Sequence, residues 1–138
     1  MSIIKWTQDL QIGIKEIDEQ HQYLINLINE LQLAVEYHKG EEVILSMIDK
    51  LHSYAQTHFT EEELLLDTHD FPGKVDHALE HDEFIAKLDE LKSEYQSNAE
   101  VLTIHIRNFI LGWFFNHIRL NDMEYKRYLE QKQVIAPQ

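Results

Sequence analysis

Residues 44–65 read Ile44-Leu-Ser-Met-Ile48-Asp-Lys-Leu51-His-Ser-Tyr-Ala55-Gln-Thr-His58-Phe-Thr-Glu-Glu62-Glu-Leu-Leu65. Ile44, Ile48, Leu51 and Ala55 recur at helical spacing, and His58, Glu62 and Leu65 continue the same line, so two polar groups lie on the core face of an amphipathic helix. The segment opens on Glu41-Glu42, favourable at the positive end of a helix dipole.

Working outward from this helix, over about 41–67, three more segments carry the same period. One runs over about 18–38 with Leu24, Ile28, Leu31 and Val35 in line, stopping at Lys39-Gly40. Another, over about 73–96, follows Asp70-Phe71-Pro72-Gly73 and presents His77, His81, Phe84, Leu88, Leu91 and Tyr95. The last, over about 99–121, presents Leu102, Ile106, Phe109, Trp113 and His117, with Ser97 and Glu100 placed as a capping box. No sustained alternation and no Asn-Gly hairpin marks a strand. Four amphipathic helices on short connections can bury their stripes only against one another, which predicts an all-α, up-down-up-down four-helix bundle preceded by an N-terminal arm over 1–17. At 138 residues the chain reads as one domain.

Composition narrows the partners. Twelve Lys and Arg against 25 Asp and Glu give a formal charge of -13, which repels phosphate backbones and anionic lipid, so nucleic acid is not an expected partner. There is no cysteine, hence no disulfide, thiolate ligand or thiol nucleophile. The start does not read as a signal peptide, and no stretch reaches the roughly 20 apolar residues of a membrane span, so no membrane insertion and a cytoplasmic location are expected.

The remaining information is in the polar residues on the core faces. Side chains four apart on a helix differ in direction by about 40°, so His58 with Glu62, and His77 with His81, each point the same way from successive turns. His21 and His117 take core positions on the other two helices. Asp122 is the awkward member: five residues beyond His117, it lies about 140° round an ideal helix, so a distorted or terminating turn near 119–121 is needed to bring it inward. A hydrogen-bonded core histidine explains any one of these pairs; four groups, one on each helix, favour a metal. His52 and His105 are about 120° off the ligand directions and His38 and His69 fall near helix ends, so these four are assigned to surface or capping roles. Calcium and magnesium prefer all-oxygen shells, whereas imidazole suits iron, zinc, copper or nickel. Seven ligands exceed one zinc; two ions sharing two carboxylates, with five histidines divided three and two, use them all and leave the poorer ion room for a small molecule.

These residues carry a resemblance to the bacteriohemerythrins, bacterial relatives of hemerythrin. The matching residues are Trp6 and Gly13 in the arm, Ile17-Asp-Glu-Gln-His21, His58-Phe-Thr-Glu-Glu62, Phe71-Pro72, His77-Ala-Leu-Glu-His81, and Trp113-Phe-Phe-Asn-His117-Ile118 with Asp122. The resemblance implies two Fe ions in an oxo- or hydroxo-bridged centre. His77, His81 and His117 would bind one, His21 and His58 the other, and Glu62 and Asp122 would bridge them. It implies reversible O2 binding at the two-histidine iron without turnover, in a pocket of Leu24, Phe59, Trp113, Phe114 and Ile118, and hence carriage, storage or delivery to a protein client. Phe114 departs from the leucine usual in the family. Asp18 reads as the N-cap of the first helix or as a partner orienting a ligand, the cap being favoured.

Three other functions compete. A sensing module would act through a partner. A peroxidase or ferroxidase would turn over, although the Glu-x-x-His motif of ferritin-like sites is missing. An HD-type phosphohydrolase would use His58, His81-Asp82 and Asp122, but would leave the other histidines without work. The oligomeric state is not readable from the sequence.

Overall fold

Each helix ends where the backbone, rather than the side-chain pattern alone, compels it. The structure is a computed structural model describing residues 3–94 and 98–136. Its helices are α1 (Lys15–Glu36), α2 (Gly40–Thr68), α3 (Lys74–Ser93), α4 (Ala99–Trp113) and α5 (Asp122–Gln131), with a π-helical stretch, Phe114–Asn121, joining the last two. A short 3-10 turn, Gln8–Leu10, lies in the arm. Helix α1 packs on α2 and α4, α2 on α3, and α3 on α4, closing the predicted four-helix bundle; among the described residues there is no strand.

Helices α1, α2 and α5 stop in the same way. His38, Asp70 and Gln133 take the left-handed conformation, and the amide of the following residue turns back on the last turn: Lys39 to Ala34 O at 2.8 Å, Phe71 to Leu66 O at 2.9 Å, Val134 to Leu129 O at 2.9 Å. The sequence places the first of these stops at Lys39-Gly40; the structure puts the left-handed residue at His38 and makes Gly40 the first residue of α2. Gly40 is needed there for close packing, since a Cβ would come 3.0 Å from the Ala99 carbonyl oxygen and 3.2 Å from Thr103 Cβ. Tyr95 and the expected cap Ser97 lie outside the described residues. Asn98 caps α4, accepting the Val101 N–H at 3.2 Å, while Glu100 accepts the Gly40 N–H at 3.1 Å instead of closing a capping box.

Two further expectations are corrected. Helix α1 begins at Lys15, three residues before Asp18, so Asp18 is not its N-cap. Its buried carboxylate accepts the backbone N–H of Ile12 at 2.7 Å and of Gly13 at 3.2 Å, tying the arm to α1. Gly13 holds φ +103°, which an L side chain would strain. The last helix, moreover, does not end near residue 121. It distorts and continues to Gln131.

That continuation completes the core. The larger apolar cluster includes Leu24, Leu51, Phe84 and Ile106; a smaller one joins Ile12 of the arm, Ile17, Leu66, Phe71, Tyr125 and Leu129. His21 lies between Ile17 and Leu24 along α1, and His58 with Glu62 between Ala55 and Leu66 along α2. A polar layer thus separates two apolar ends, and α5 with the arm seals the smaller. Gly40→Ala is expected to lower stability by about 1–3 kcal/mol through overpacking at the α2–α4 contact; urea unfolding checks this, and unchanged stability would show the contact to be slack.

Candidate metal centre

Seven side chains from every long helix meet in the polar layer: His21, His58, Glu62, His77, His81, His117 and Asp122, none more than 4% exposed. They form two overlapping groups, Glu62 with His77, His81 and His117, and Glu62 with His21, His58 and Asp122. Within each group the donor atoms lie within 4.8 Å of one another.

The two carboxylates divide their oxygens between the groups. Glu62 Oε1 is 2.6 Å from His77 Nε2, 3.0 Å from His81 Nε2 and 3.9 Å from His117 Nε2. Its Oε2 is 3.2 Å from His58 Nε2 and 3.8 Å from His21 Nε2. Asp122 Oδ1 lies 3.0 Å from His77 Nε2 and 3.1 Å from His117 Nε2, whereas Oδ2 lies 3.2 Å from His21 Nε2. Asp122 reaches this position because the backbone is π-helical: its N–H bonds to His117 O, an i→i+5 link that stacks residues five apart on successive turns. The distortion expected near 119–121 therefore starts earlier, at Phe114, and does not terminate the helix.

Whether these residues fit a metal is answered by their unpaired atoms. Among the described residues, His21 Nδ1 and Nε2, His117 Nε2 and both Asp122 oxygens are buried without a hydrogen bond of acceptable geometry, although ion-pair distances connect several of them. Buried donors and acceptors that face one another without bonding are costly, and coordination of a shared cation satisfies them. The set of imidazole nitrogen and carboxylate oxygen without sulfur suits iron. The residues fit.

Around the ligands sits a set of partners not foreseen from the sequence. The Nδ1–H of His81 donates to Glu63 at 2.9 Å, that of His117 to Glu80 at 2.9 Å, and that of His58 to Gln20. With Nδ1 protonated, each Nε2 turns its lone pair inward. Glu80 also accepts from Asn121 at 2.6 Å, tying the middle and the last residue of the π-helical stretch to α3. Tyr125 donates to Glu62 Oε2 at 2.8 Å. A faint signal for two of them existed, since Glu63 adjoins Glu62 and Glu80 adjoins His81, but exposed acids on helices are too common to single out. Of the residues expected to line a pocket, Phe59 stacks on His81 with centroids 3.9 Å apart, Trp113 stacks on His117 at 4.1 Å, and Leu24, Phe114 and Ile118 are buried in the larger apolar cluster. His52 pairs with Asp89 at 2.8 Å, His38 and His105 are exposed, and His69 caps α2, so the four histidines set aside do lie outside the centre. Asp82, which an HD-type site requires, is exposed and outside both groups.

Fold and site together define an all-helical cation-binding domain. The chain belongs to the hemerythrin family: residues 12–129 match the Hemerythrin HHE cation binding domain. It is 31% identical to a bacteriohemerythrin of Stenotrophomonas maltophilia over 125 residues, 91% of this chain and 80% of the relative. A bacteriohemerythrin of Clostridium acetobutylicum is 31% identical over 124 residues, covering 87% of this chain and 96% of its own. A hemerythrin-like protein of Naegleria fowleri is 30% identical over 125 residues, 91% of this chain and 92% of the relative.

Without a cation, protons hold the cluster together. Burial by itself would lower His77 and His117, but Asp122 and Glu62 beside them raise the two to about 9 and about 10. Burial opposes ionisation of Glu62 and Asp122 too, yet the facing histidines keep both below the usual carboxylate range. His58 is lowered, burial outweighing Glu62. Because the folded values for His77 and His117 exceed the unfolded value of 6.5, their stabilisation is complete below that pH and is lost as pH rises through 9 to 10. The carboxylates contribute above their unfolded values, near 4, and lose that contribution on acidification. The metal-free protein is therefore expected to be most stable at about pH 6, to weaken toward pH 10 as His77 and His117 deprotonate, and to weaken below pH 6 because folding keeps His58 neutral; loading at pH 7.5 should release about two protons per chain. Urea unfolding across pH and calorimetry in buffers of different ionisation enthalpy check both; stability that rises from pH 6.5 to 9 would contradict the assignment.

Proposed function

We propose that this chain holds two iron ions and binds O2 reversibly, serving in oxygen carriage, storage or delivery. His77, His81 and His117 would hold one ion and His21 and His58 the other, with Glu62 and Asp122 shared between them. The observation that carries the reading is the division of oxygens within each carboxylate, one toward the three-histidine group and the other toward the two-histidine group. A single ion would not require both carboxylates to face two ways. An iron pair held there would supply the reversible two-electron chemistry that O2 binding requires.

The chain's own residues confine that chemistry. Glu63, Glu80 and Gln20 fix the rings of His81, His117 and His58, so that the ligands need no rearrangement when the charge at the centre changes. Leu24, Phe59, Phe114 and Ile118 are buried, and with Trp113 they wall the centre with apolar surface. Apolar walls exclude water and slow proton entry, the conditions under which bound oxygen leaves unreduced. The three-to-two division leaves the His21 and His58 side poorer by one imidazole, and this is where the small molecule is assigned. The names of the bacterial relatives support the same reading. Among the described residues no helix is long and apolar enough to cross a membrane.

The decisive experiment loads the protein with iron, reduces it without air, admits oxygen and then removes it. The expected result is a visible absorption band that appears with oxygen and vanishes without net oxidation, at two iron atoms per chain. Permanent conversion to the ferric form, or no band, would overturn reversible binding. Phe114→Leu, which restores the residue usual in the family, is expected to raise the oxygen on-rate several-fold by thinning the pocket wall; identical on-rates and oxidation rates would assign Phe114 to packing alone.

A further inference from the structure

Among the described residues two buried polar atoms outside the seven side chains of the centre lack a hydrogen-bond partner, Trp113 Nε1 and the Tyr54 hydroxyl, and Tyr54 is the one beside the two-histidine group. Tyr54 is 5% exposed, yet among the described residues its hydroxyl has no hydrogen-bond partner. Burying a hydroxyl unpaired costs stability, whereas phenylalanine fills nearly the same volume without that cost. The group is therefore aimed at something other than the protein.

Its position indicates what. Tyr54 lies one turn before His58 on α2, and Glu62 one turn after it. The Tyr54 ring stacks on the His58 ring, with centroids 5.1 Å apart and planes 15° from parallel, so both side chains project inward from α2 in the same direction. A phenol is longer than an imidazole, so the hydroxyl extends beyond the ring that stacks on His58. Glu62 and Asp122 both act electrostatically on it. Tyr54 belongs to the same buried apolar cluster as Leu24 of α1 and Phe59 of α2, and the Phe59 ring lies 5.8 Å from that of His58 and 6.1 Å from that of Tyr54. Tyr23 lies against Tyr54, with ring centroids 6.5 Å apart, but is exposed, and Tyr125 donates to Glu62 from the opposite apolar end.

We infer that the Tyr54 hydroxyl donates a hydrogen bond to the small anionic or electron-rich molecule held at the His21 and His58 side of the centre. This rests on the assignment of the small molecule to that side. Tyr54 thereby selects for ligands that gain negative charge on binding and strengthens their retention, within a pocket that is otherwise apolar.

The test compares wild type with Tyr54→Phe, using azide as the probe on ferric-loaded protein and urea unfolding on the metal-free protein. The variant is expected to keep the wild-type iron content, to be at least as stable as wild type without metal, and to bind azide about tenfold more weakly, the loss of one hydrogen bond. Equal azide affinity would overturn the inference. So would a variant that is destabilised without metal or loses iron, because the hydroxyl would then be a structural bond or a support for His58. Failure of the underlying reading is distinguishable: wild type loaded with iron would itself bind neither azide nor oxygen, and both proposals would fall together.

Discussion

Two carboxylates buried among five imidazoles constrain everything else in this molecule. Glu62 and Asp122 are fully buried, and each has its two oxygens directed to different histidines. Ions cannot be left so deep without matching charge, and the structure provides it from every long helix at one level. This single layer dictates the register of the bundle. A helix sliding by one turn would withdraw its ligand and leave the others unpaired.

The cost of the layer appears in the backbone. An α-helix cannot place residues five apart on the same face, and His117 and Asp122 are five apart. The chain meets this with a π-helical stretch, where the i→i+5 bond from Asp122 N–H to His117 O brings the two into line. Glu80, reaching across from α3 to His117 and Asn121, holds that geometry from outside. The arm is bound with comparable care. Asp18 and Lys126 both bond to its backbone, which keeps Ile12 in the smaller apolar cluster beneath the centre.

Much of this was legible beforehand. Periodicity located the first three helices and the start of the fourth to within a few residues, because an amphipathic stripe is a local property that survives any packing. The spacing of His58 with Glu62 and His77 with His81 revealed their common faces, and the mismatch at Asp122 announced a distortion. Other features were hidden. Residues 122–131 were left without an element, since a helix rich in charge presents only a weak stripe; its burial depends on the arm, which is remote in sequence. Asp18 has the residue type of a cap but performs a different task, because the arm returns to lie against it. Glu63, Glu80 and Gln20 look like ordinary solvated side chains until a neighbouring helix brings an imidazole within reach.

The sequence by itself therefore determined the helical class, the polar residues on the core faces and the family resemblance, all of which follow from repeats and motifs along one chain. Tertiary structure alone decided which oxygen of each carboxylate faces which histidines, where the backbone yields to admit Asp122, and that the Tyr54 hydroxyl is buried without a hydrogen bond among the described residues. Those are distances between side chains on different turns and different helices. They exist only once apolar burial has set the helices against one another and fixed how far each side chain can reach.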